Sequence, residues 1–240
     1  MPTSLADQIG IGERELISIV GAGGKSTILF TLGRELAPPS HRIILTTTTM
    51  MAADQVTEPT SWTDDSIEVE RMLDPGIPLL VVTGEVPGKA TGPTPDAVDR
   101  LFLDTAVDFV IVEADGARSM SIKAPADHEP VIPRLSTTVI VVAAIDAIGR
   151  SISEVAHRPD LVADIIGVHI DDPLTIDGAA TVLLSEKGGL KNITDTARVV
   201  IALTKVTPDT EASADELAAM LAEHRRIDRV VMPMKTPSGQ

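Results

Sequence analysis

A glycine-rich run between an apolar segment and an amphipathic segment constrains the fold of this chain more than any other feature. Residues 16–20 read LISIV, residues 21–27 read GAGGKST, and residues 25–36 place apolar side chains at helical spacing. A continuously apolar strand is typical of a parallel sheet that is covered on both faces. The pattern therefore predicts a buried strand, a tight glycine loop and a helix at the start of an α/β domain.

The run GAGGKST has the composition of a phosphate-binding loop. Glycines let backbone N–H groups surround an anion, and the helix that follows adds unpaired N–H groups and the positive end of its dipole. Lys25 would neutralise the β and γ phosphates, and the Ser26 hydroxyl would bind Mg²⁺. The loop is shorter than the usual G-x-x-x-x-G-K-[ST] spacing and is similar to the G-T-N-G-K-T-T loop of the Mur ligases.

Two other interpretations of the glycine run stay open. The spacing of Gly21, Gly23 and Ser26 nearly fits the dinucleotide fingerprint G-x-G-x-x-[GA], but such a site needs an acidic residue about 20 residues further on. Residues 46–49 are threonines instead. The run can also be an ordinary strand–helix turn, although the needs of a turn do not explain the Lys25-Ser26 pair.

Further apolar runs and helical patterns alternate along the chain. The predicted strands are residues 43–45, 77–82, 109–112, 139–142, 199–203 and 229–232, and the predicted helices are residues 95–102, 159–166, 178–185 and 209–224. Residues 83–95 are rich in glycine and proline, which predicts a loop. Strands separated by helices indicate a P-loop NTPase-like three-layer sandwich with a mainly parallel sheet. One domain would span residues 1–240, with a small lobe or insertion around residues 145–195.

The strand predicted at residues 109–112 runs into two carboxylates, Glu113 and Asp115. In phosphate-loop NTPases a neighbouring strand delivers an acid to Mg²⁺. Residues two apart on a strand point the same way, so both carboxylates would face one site. We assign Glu113 to the metal and Asp115 to the nucleophile or the acceptor. Thr47 and Thr48 are candidates to reach Mg²⁺ or the γ phosphate, although β propensity and capping also explain them.

Two polar segments in the second half of the chain are candidates to hold a substrate. Residues 123–130 read KAPADHEP, and a loop made rigid by prolines can position functional groups. Lys123 and His128 are its candidate catalytic residues. Further on, His157 would cap the helix that follows it, or Arg158 would grip an anion. The alternative is that Lys123 with His128, or His157 with Arg158, is solvated at the surface and binds no substrate.

The end of the strand predicted at residues 199–203 is where GTPases place the loop that reads the base. Lys205 lies in this position and would stack along a purine face. Thr207 stands where an acidic residue would recognise guanine. Guanine preference is therefore not supported, and ATP and GTP stay equally open as the nucleotide.

Several segments together resemble one known family, the YqeC family. The resemblance rests on residues 19–27 (IVGAGGKST), 46–49 (TTTT), 112–118 (VEADGAR), 123–130 (KAPADHEP) and 157–159 (HRP). Lys89 and Gly92 match a Lys-x-x-Gly element of that family. The resemblance implies an NTP-binding α/β protein whose acidic and KAPADHEP loops lie near the phosphate loop. It also implies a role accessory to selenium-dependent molybdenum hydroxylases, in the biosynthesis of a selenium cofactor.

These observations give one set of candidate residues and cofactors. The candidate catalytic residues are Lys25, Asp115, Lys123 and His128. The candidate cofactor-binding residues are Gly21, Ala22, Gly23, Gly24, Lys25, Ser26, Thr27, Thr47, Thr48, Arg118 and Lys205, and the candidate metal ligands are Ser26 and Glu113. The expected cofactors are Mg²⁺ and ATP or GTP. The alternatives are a non-catalytic carrier or chaperone for a cofactor and an NAD(P)-binding enzyme of the Rossmann type.

The composition narrows the range of partners. The formal net charge of −15 disfavours nucleic acid, whose phosphates need a basic surface. The absence of cysteine excludes a thiol nucleophile, a disulfide framework and a cysteine-ligated metal. No apolar run approaches the roughly 18–20 residues that cross a bilayer. We therefore expect a cytoplasmic protein whose partners are a nucleoside triphosphate and a molybdenum hydroxylase or its cofactor.

Overall fold

A parallel β-sheet of eight strands forms the centre of the protein. The structure is a computed structural model that describes residues 4–38, 40–56 and 58–233. Its strands are β1 (Glu15–Gly21), β2 (Ile43–Thr47), β3 (Met50–Ala52), β4 (Thr60–Ser61), β5 (Leu79–Val81), β6 (Gly84–Val86), β7 (Lys89–Thr91), β8 (Phe109–Glu113), β9 (Ile122–Lys123), β10 (Thr138–Ala144), β11 (Ala156–His157), β12 (Arg198–Thr204) and β13 (Arg229–Val231). The order in the main sheet is β13-β12-β10-β1-β8-β2-β5-β4, and every neighbouring pair is parallel. The predicted mainly parallel sheet is confirmed.

Helices cover both faces of this sheet. They are α1 (Leu5–Ile9), α2 (Lys25–Leu36), α3 (Ser66–Met72), α4 (Pro95–Asp104), α5 (Ile152–Val155), α6 (Pro159–Ile166), α7 (Ile176–Leu184) and α8 (Glu211–Ala222), with short 3₁₀ turns at Ala53–Gln55 and Ile145–Ala147. Along β1, Leu16 and Val20 pack into the apolar core under α3 to α8. Ile17 and Ile19 pack into a second core under α1 and α2. The sheet thus lies between two helical layers, as an apolar strand such as β1 requires.

The segment at residues 145–195, where a small lobe was predicted, contains α5, α6, α7 and β11. Apolar side chains of α5, α6 and α7 belong to the same core as those of β10 and β12. The division of the chain into a domain and a lobe stays a prediction, and the ends of the predicted domain, residues 1–3 and 234–240, lie outside the described residues. Among the described helices, none has both the length and the apolar character that crossing a bilayer needs.

The prediction of a loop over residues 83–95 was wrong in its first part. β6 and β7 form an antiparallel hairpin around Gly88, whose φ is +75°, and β7 also pairs with β3. Each strand of this hairpin has only three residues and no apolar run, so a search for apolar runs misses it. After the hairpin, a Cβ on Gly92 would lie 1.5 Å from the Thr47 carbonyl oxygen, so this close approach requires glycine.

The order of the strands decides what lies beside the glycine loop. In open parallel sheets, ligands bind outside the carboxyl ends of the strands, where the strand order changes direction. β1 lies between β8 and β10, so the loop after β1 is flanked by the ends of these two strands. β8 also separates β1 from β2. In the dinucleotide-binding order the first two strands are neighbours, so this sheet is built differently.

Candidate functional site

The glycine loop joins β1 to α2, as the sequence predicts. Gly21 has a φ of 94° and Gly23 a φ of 87°, values that favour glycine. A Cβ on Gly21 would lie 2.3 Å from the Val142 carbonyl oxygen, and a Cβ on Gly23 would lie 2.5 Å from the Ala144 Cβ. The Ala22 N–H donates to the same Val142 oxygen at 2.9 Å. The loop therefore packs tightly against β10, and this packing alone explains two of its glycines.

The N-terminus of α2 offers hydrogen-bond donors. Gly24 is the N-cap, and its carbonyl accepts the first helical bond, from the Ile28 N–H at 3.0 Å. No side chain of the described residues caps this end, so the N–H groups of residues 25–27 have no partner within the helix. The Gly23 carbonyl accepts a hydrogen bond from the Thr204 hydroxyl on β12. Free N–H groups and the positive dipole end can both stabilise an anion here.

Lys25 is buried at the centre of the site, with 5 % of its surface exposed. Its Nζ donates to the Gly21 carbonyl oxygen at 2.8 Å and lies 3.2 Å from Asp115 Oδ1 and 3.6 Å from Glu113 Oε1. The Ser26 hydroxyl donates to Glu113 Oε2 at 2.7 Å. The structure thus brings together the lysine and hydroxyl of the loop and both carboxylates after β8. The hydroxyl and carboxylate are oxygen donors of the kind Mg²⁺ prefers.

Asp115 joins the glycine loop to the KAPADHEP loop. It is 2 % exposed, and its Oδ2 accepts the Gly21 N–H at 3.1 Å and lies 2.9 Å from Lys123 Nζ. Lys123 Nζ also donates to the Gly116 carbonyl at 2.7 Å and to Glu129 Oε2 at 2.9 Å. Three oxygen partners match the three donors of an ammonium group. Lys123 is therefore fixed between two buried carboxylates rather than free to move.

Glu129 and Arg158 extend this arrangement, and the sequence did not single out Glu129. Arg158 donates to both carboxylate oxygens of Glu129, at 2.7 and 3.1 Å. Burial alone would raise the pKa of Glu129, but hydrogen bonds from Arg158 and Lys123 and their charges outweigh it and lower this pKa to about 2. The contacts form a row of alternating charges, which we call the charge row: Glu113, Lys25, Asp115, Lys123, Glu129 and Arg158.

The lowered pKa of Glu129 predicts a loss of stability in acid. The stability that ionised Glu129 contributes is fully present above its ordinary pKa of 4.5 and is lost as the pH falls towards about 2. The difference in free energy of unfolding between wild type and Glu129→Gln should shrink by on the order of 2 kcal/mol over that interval. Urea unfolding at a series of pH values measures it. Asp127→Asn is the control, because Asp127 is an exposed carboxylate of the same loop; an equal pH dependence in both variants would contradict the prediction.

His157 lies beside the outer end of the charge row. Burial, followed by the charges of Arg158 and Lys123, lowers the pKa of its imidazole. The ring is therefore neutral near pH 7. Its Nδ1 lies 3.4 Å from the Arg158 guanidinium. A neutral imidazole beside a cation can donate a hydrogen bond to a bound molecule or accept one from it, and it can exchange a proton with that molecule.

Thr47, at the end of β2, and Thr48, directly after it, use their hydroxyls for backbone contacts. Thr47 Oγ1 donates to the Glu113 carbonyl at 2.8 Å, and Thr48 Oγ1 donates to the Val131 carbonyl at 2.7 Å. The Thr48 N–H also donates to the Glu113 carbonyl at 3.2 Å. Both threonines thus lie beside the acidic end of β8, where they position Glu113 through its backbone.

The remaining predicted residues lie around this centre. Thr27 is an exposed residue of the first turn of α2, and Arg118 and His128 are exposed in the two loops after β8. Within the described chain, neither Arg118 nor His128 has a hydrogen bond or an ion pair. Lys205 Nζ lies 2.8 Å from Asp146 Oδ2 and 3.2 Å from Ser121 Oγ, next to the strand end that contacts Gly23.

Metal binding at this site would need a ligand in addition to protein side chains. Over residues 4–38, 40–56 and 58–233, no three His, Asp or Glu side chains are grouped so that they could hold a metal ion. Mg²⁺ in phosphate sites is usually held by one or two carboxylates together with the phosphates. The pair Ser26 and Glu113 fits that pattern in the chemistry of its donors.

Comparison with known proteins shows that this chain matches a family model and a protein of Escherichia coli. The family model described as "YqeC protein" matches residues 17–160, which include the glycine loop, the acidic end of β8, the KAPADHEP loop and Arg158. A protein of Escherichia coli (strain K12) described as "Uncharacterized protein YqeC" is 34 % identical over 238 residues. That alignment covers 93 % of this chain and 89 % of the Escherichia coli protein.

Proposed function

Because the chain belongs to the YqeC family, we propose that it is a P-loop NTPase-like protein that binds ATP or GTP with Mg²⁺. It hydrolyses the nucleotide or transfers its terminal phosphoryl group. In this proposal it acts in the cytoplasm, in the maturation of the molybdenum or selenium cofactor of a molybdenum hydroxylase. The family resemblance supports the proposed context, and the geometry of the glycine loop supports the proposed nucleotide site.

One contact carries the proposal, the hydrogen bond between the Ser26 hydroxyl and the Glu113 carboxylate. It places a hydroxyl from the loop and an acid from the neighbouring strand where Mg²⁺ would join them. Lys25 lies beside this pair, and the free N–H groups of α2 begin at the same point. An ordinary strand–helix turn needs glycines but does not need a buried lysine, a hydroxyl and an acid together.

The residues of the site would act mainly by position and charge, as in other phosphoryl-transfer proteins. The N–H groups of residues 25–27 would hold phosphate oxygens. Lys25 would neutralise charge that develops on the terminal phosphoryl group. Asp115 would orient the attacking hydroxyl or water, since it is held rigidly by the Gly21 N–H and Lys123. Ser26 and Glu113 would hold Mg²⁺, which supplies positive charge to the phosphates when bound.

The strand order supports a mononucleotide rather than a dinucleotide. β8 separates the first two strands of the main sheet, which are neighbours in dinucleotide-binding sheets. The second strand also ends in Thr46 and Thr47 rather than in an acid that would bind a ribose. Both observations favour ATP or GTP over NAD(P).

Exchange of Ser26 for alanine tests the magnesium part of the proposal. Wild type should bind ATP or GTP more tightly with Mg²⁺ than without it, and Ser26→Ala should lose about tenfold in affinity only when Mg²⁺ is present. Isothermal titration with each nucleotide, with and without Mg²⁺, measures this, and release of inorganic phosphate separates an enzyme from a carrier. Ser40→Ala is the matched control because Ser40 is an exposed serine outside the site. Failure of wild type to bind either nucleotide would refute the proposal.

A further inference from the structure

Unusual backbone conformations are concentrated around one segment, residues 116–130. The non-glycine residues that the structure describes with positive φ are Arg118, Ser119, Arg158, Asn192 and Lys205. Arg118 and Ser119 lie in the segment itself. Arg158 and Asn192 bond to Glu129, and Lys205 bonds to Ser121. Left-handed backbone is unfavourable for residues with a side chain and is retained where the surrounding structure enforces it, often at functional sites.

The KAPADHEP loop in this segment is held from several sides. Lys123 and Arg158 bind the Glu129 side chain. Lys191 Nζ donates to the Ala126 carbonyl at 2.7 Å, and the Asn192 amide donates to the Pro130 carbonyl at 3.2 Å. Such a surface can recognise a ligand at a small entropic cost, because its groups are already fixed.

One cation of this region, Arg118, contacts no described carboxylate. The formal net charge of the whole chain is −15. At the outer end of the charge row, however, Lys123 and Arg158 are paired with the carboxylates Asp115 and Glu129, whereas Arg118 is exposed. An unpaired cation on an acidic protein is a local centre of positive charge that attracts a small anion.

Two arginines of this region keep donors for a ligand. The Arg158 side chain uses one edge of its guanidinium for Glu129 and is 26 % exposed. Arg118 is exposed, and no described residue pairs with its guanidinium. His157 pairs with Lys123 across β11 and β9, and Lys123 Nζ bonds to the Gly116 carbonyl two residues before Arg118, so the ring lies in the same part of the fold as both arginines. Guanidinium groups suit phosphate and carboxylate because their N–H donors match two oxygens at once.

We propose that Arg118, His157 and Arg158 form a second anion-binding site, which takes the phosphate or carboxylate group of a small acceptor molecule. The site is separate from the glycine loop but joined to it by Lys123 and Asp115. The two arginines bind the anionic group, and the neutral imidazole of His157 hydrogen-bonds to an adjacent hydroxyl or amine of the same molecule. The role as acceptor site rests on the proposed function, whereas the binding of an anion there does not.

The test uses inorganic phosphate as the probe and the full chain labelled with ¹⁵N. Phosphate is titrated at neutral pH while the His157 imidazole resonances, assigned with His157→Gln, are followed. The titration is repeated in Lys25→Ala, in which the glycine loop lacks its lysine. The proposal expects a saturable shift in both proteins. It also expects about tenfold weaker binding in Arg118→Gln and wild-type binding in Arg225→Gln, the matched control, since Arg225 is exposed and has no described partner.

The outcomes separate this site from the proposed function. No saturable shift of His157, or equal phosphate affinity in Arg118→Gln and wild type, would overturn the second site even if nucleotides bind. The site is supported if the His157 shift persists in Lys25→Ala and the phosphate affinity falls in Arg118→Gln. This holds also if wild type binds no nucleotide. In that case the anion site stands and the proposed function fails.

Discussion

Replacing Lys25 with alanine is expected to weaken the binding of Mg²⁺ with ATP or GTP about a hundredfold. In wild type the Lys25 ammonium lies between Glu113 and Asp115, 3.6 and 3.2 Å away. Without it, the carboxylates would face the phosphates with one cation fewer, and repulsion would add to the loss of the lysine's own bonds. Isothermal titration with each nucleotide measures the change.

Lys187→Ala is the control for this prediction, because it removes the same charge from an exposed position. Both variants are compared with wild type by circular dichroism, so that a binding defect is measured on folded protein. Asp115 keeps its contacts with Lys123 and the Gly21 N–H in Lys25→Ala, so the loop retains a partner. Unchanged nucleotide affinity in folded Lys25→Ala would show that the glycine loop is not part of the nucleotide site.

Replacing Lys123 with methionine is expected to lower the free energy of unfolding by about 3–5 kcal/mol, the usual cost of removing one partner from a buried ion pair. The Lys123 side chain is 1 % exposed and lies 2.9 Å from both Asp115 and Glu129. Methionine keeps most of its volume but leaves two buried carboxylates with one cation fewer. Urea unfolding monitored by circular dichroism measures the difference.

Lys187→Met is the matched control and should change the free energy of unfolding by no more than about 0.5 kcal/mol, as exposed substitutions usually do. A second variant, Lys123→Arg, keeps the charge but brings a planar group into a site shaped for an ammonium. It should lie between wild type and Lys123→Met. Equal stability of wild type and Lys123→Met would show that the charge row does not hold the KAPADHEP loop.

The glycine loop and the helix after it were predictable because the sequence patterns that indicate them are adjacent in the chain. An apolar run, a glycine-rich run and a helical pattern follow one another directly, and α2 occupies the predicted residues 25–36. The approach of Glu113 and Asp115 to the loop follows from parallel strands whose ends meet at one edge. Which strand lies beside β1 is a long-range choice, and the sequence supported it only by analogy with phosphate-loop NTPases and by the resemblance to the YqeC family.

The outer half of the site was harder to predict because it depends on contacts far apart in sequence. β9 and β11 have two residues each, too few for a pattern. In the KAPADHEP loop the sequence does not show which of the adjacent polar residues turns inward; Glu129 is buried and His128 is exposed. Arg158 precedes a proline, which favours extended backbone, yet the bidentate contact with Glu129 accompanies a left-handed conformation.

Each lysine in the charge row is shared by two carboxylates, so neither end of the row is energetically independent of the other. A polyphosphate that draws Lys25 towards itself would leave Asp115 more dependent on Lys123, and Lys123 would then hold Glu129 less strongly. The Glu129–Arg158 contact would loosen in turn. By thermodynamic reciprocity, an anion that engages Arg158 would change nucleotide affinity by the same factor by which the nucleotide changes affinity for the anion. Such communication would require no movement of the sheet, only the redistribution of partners among a few buried ions.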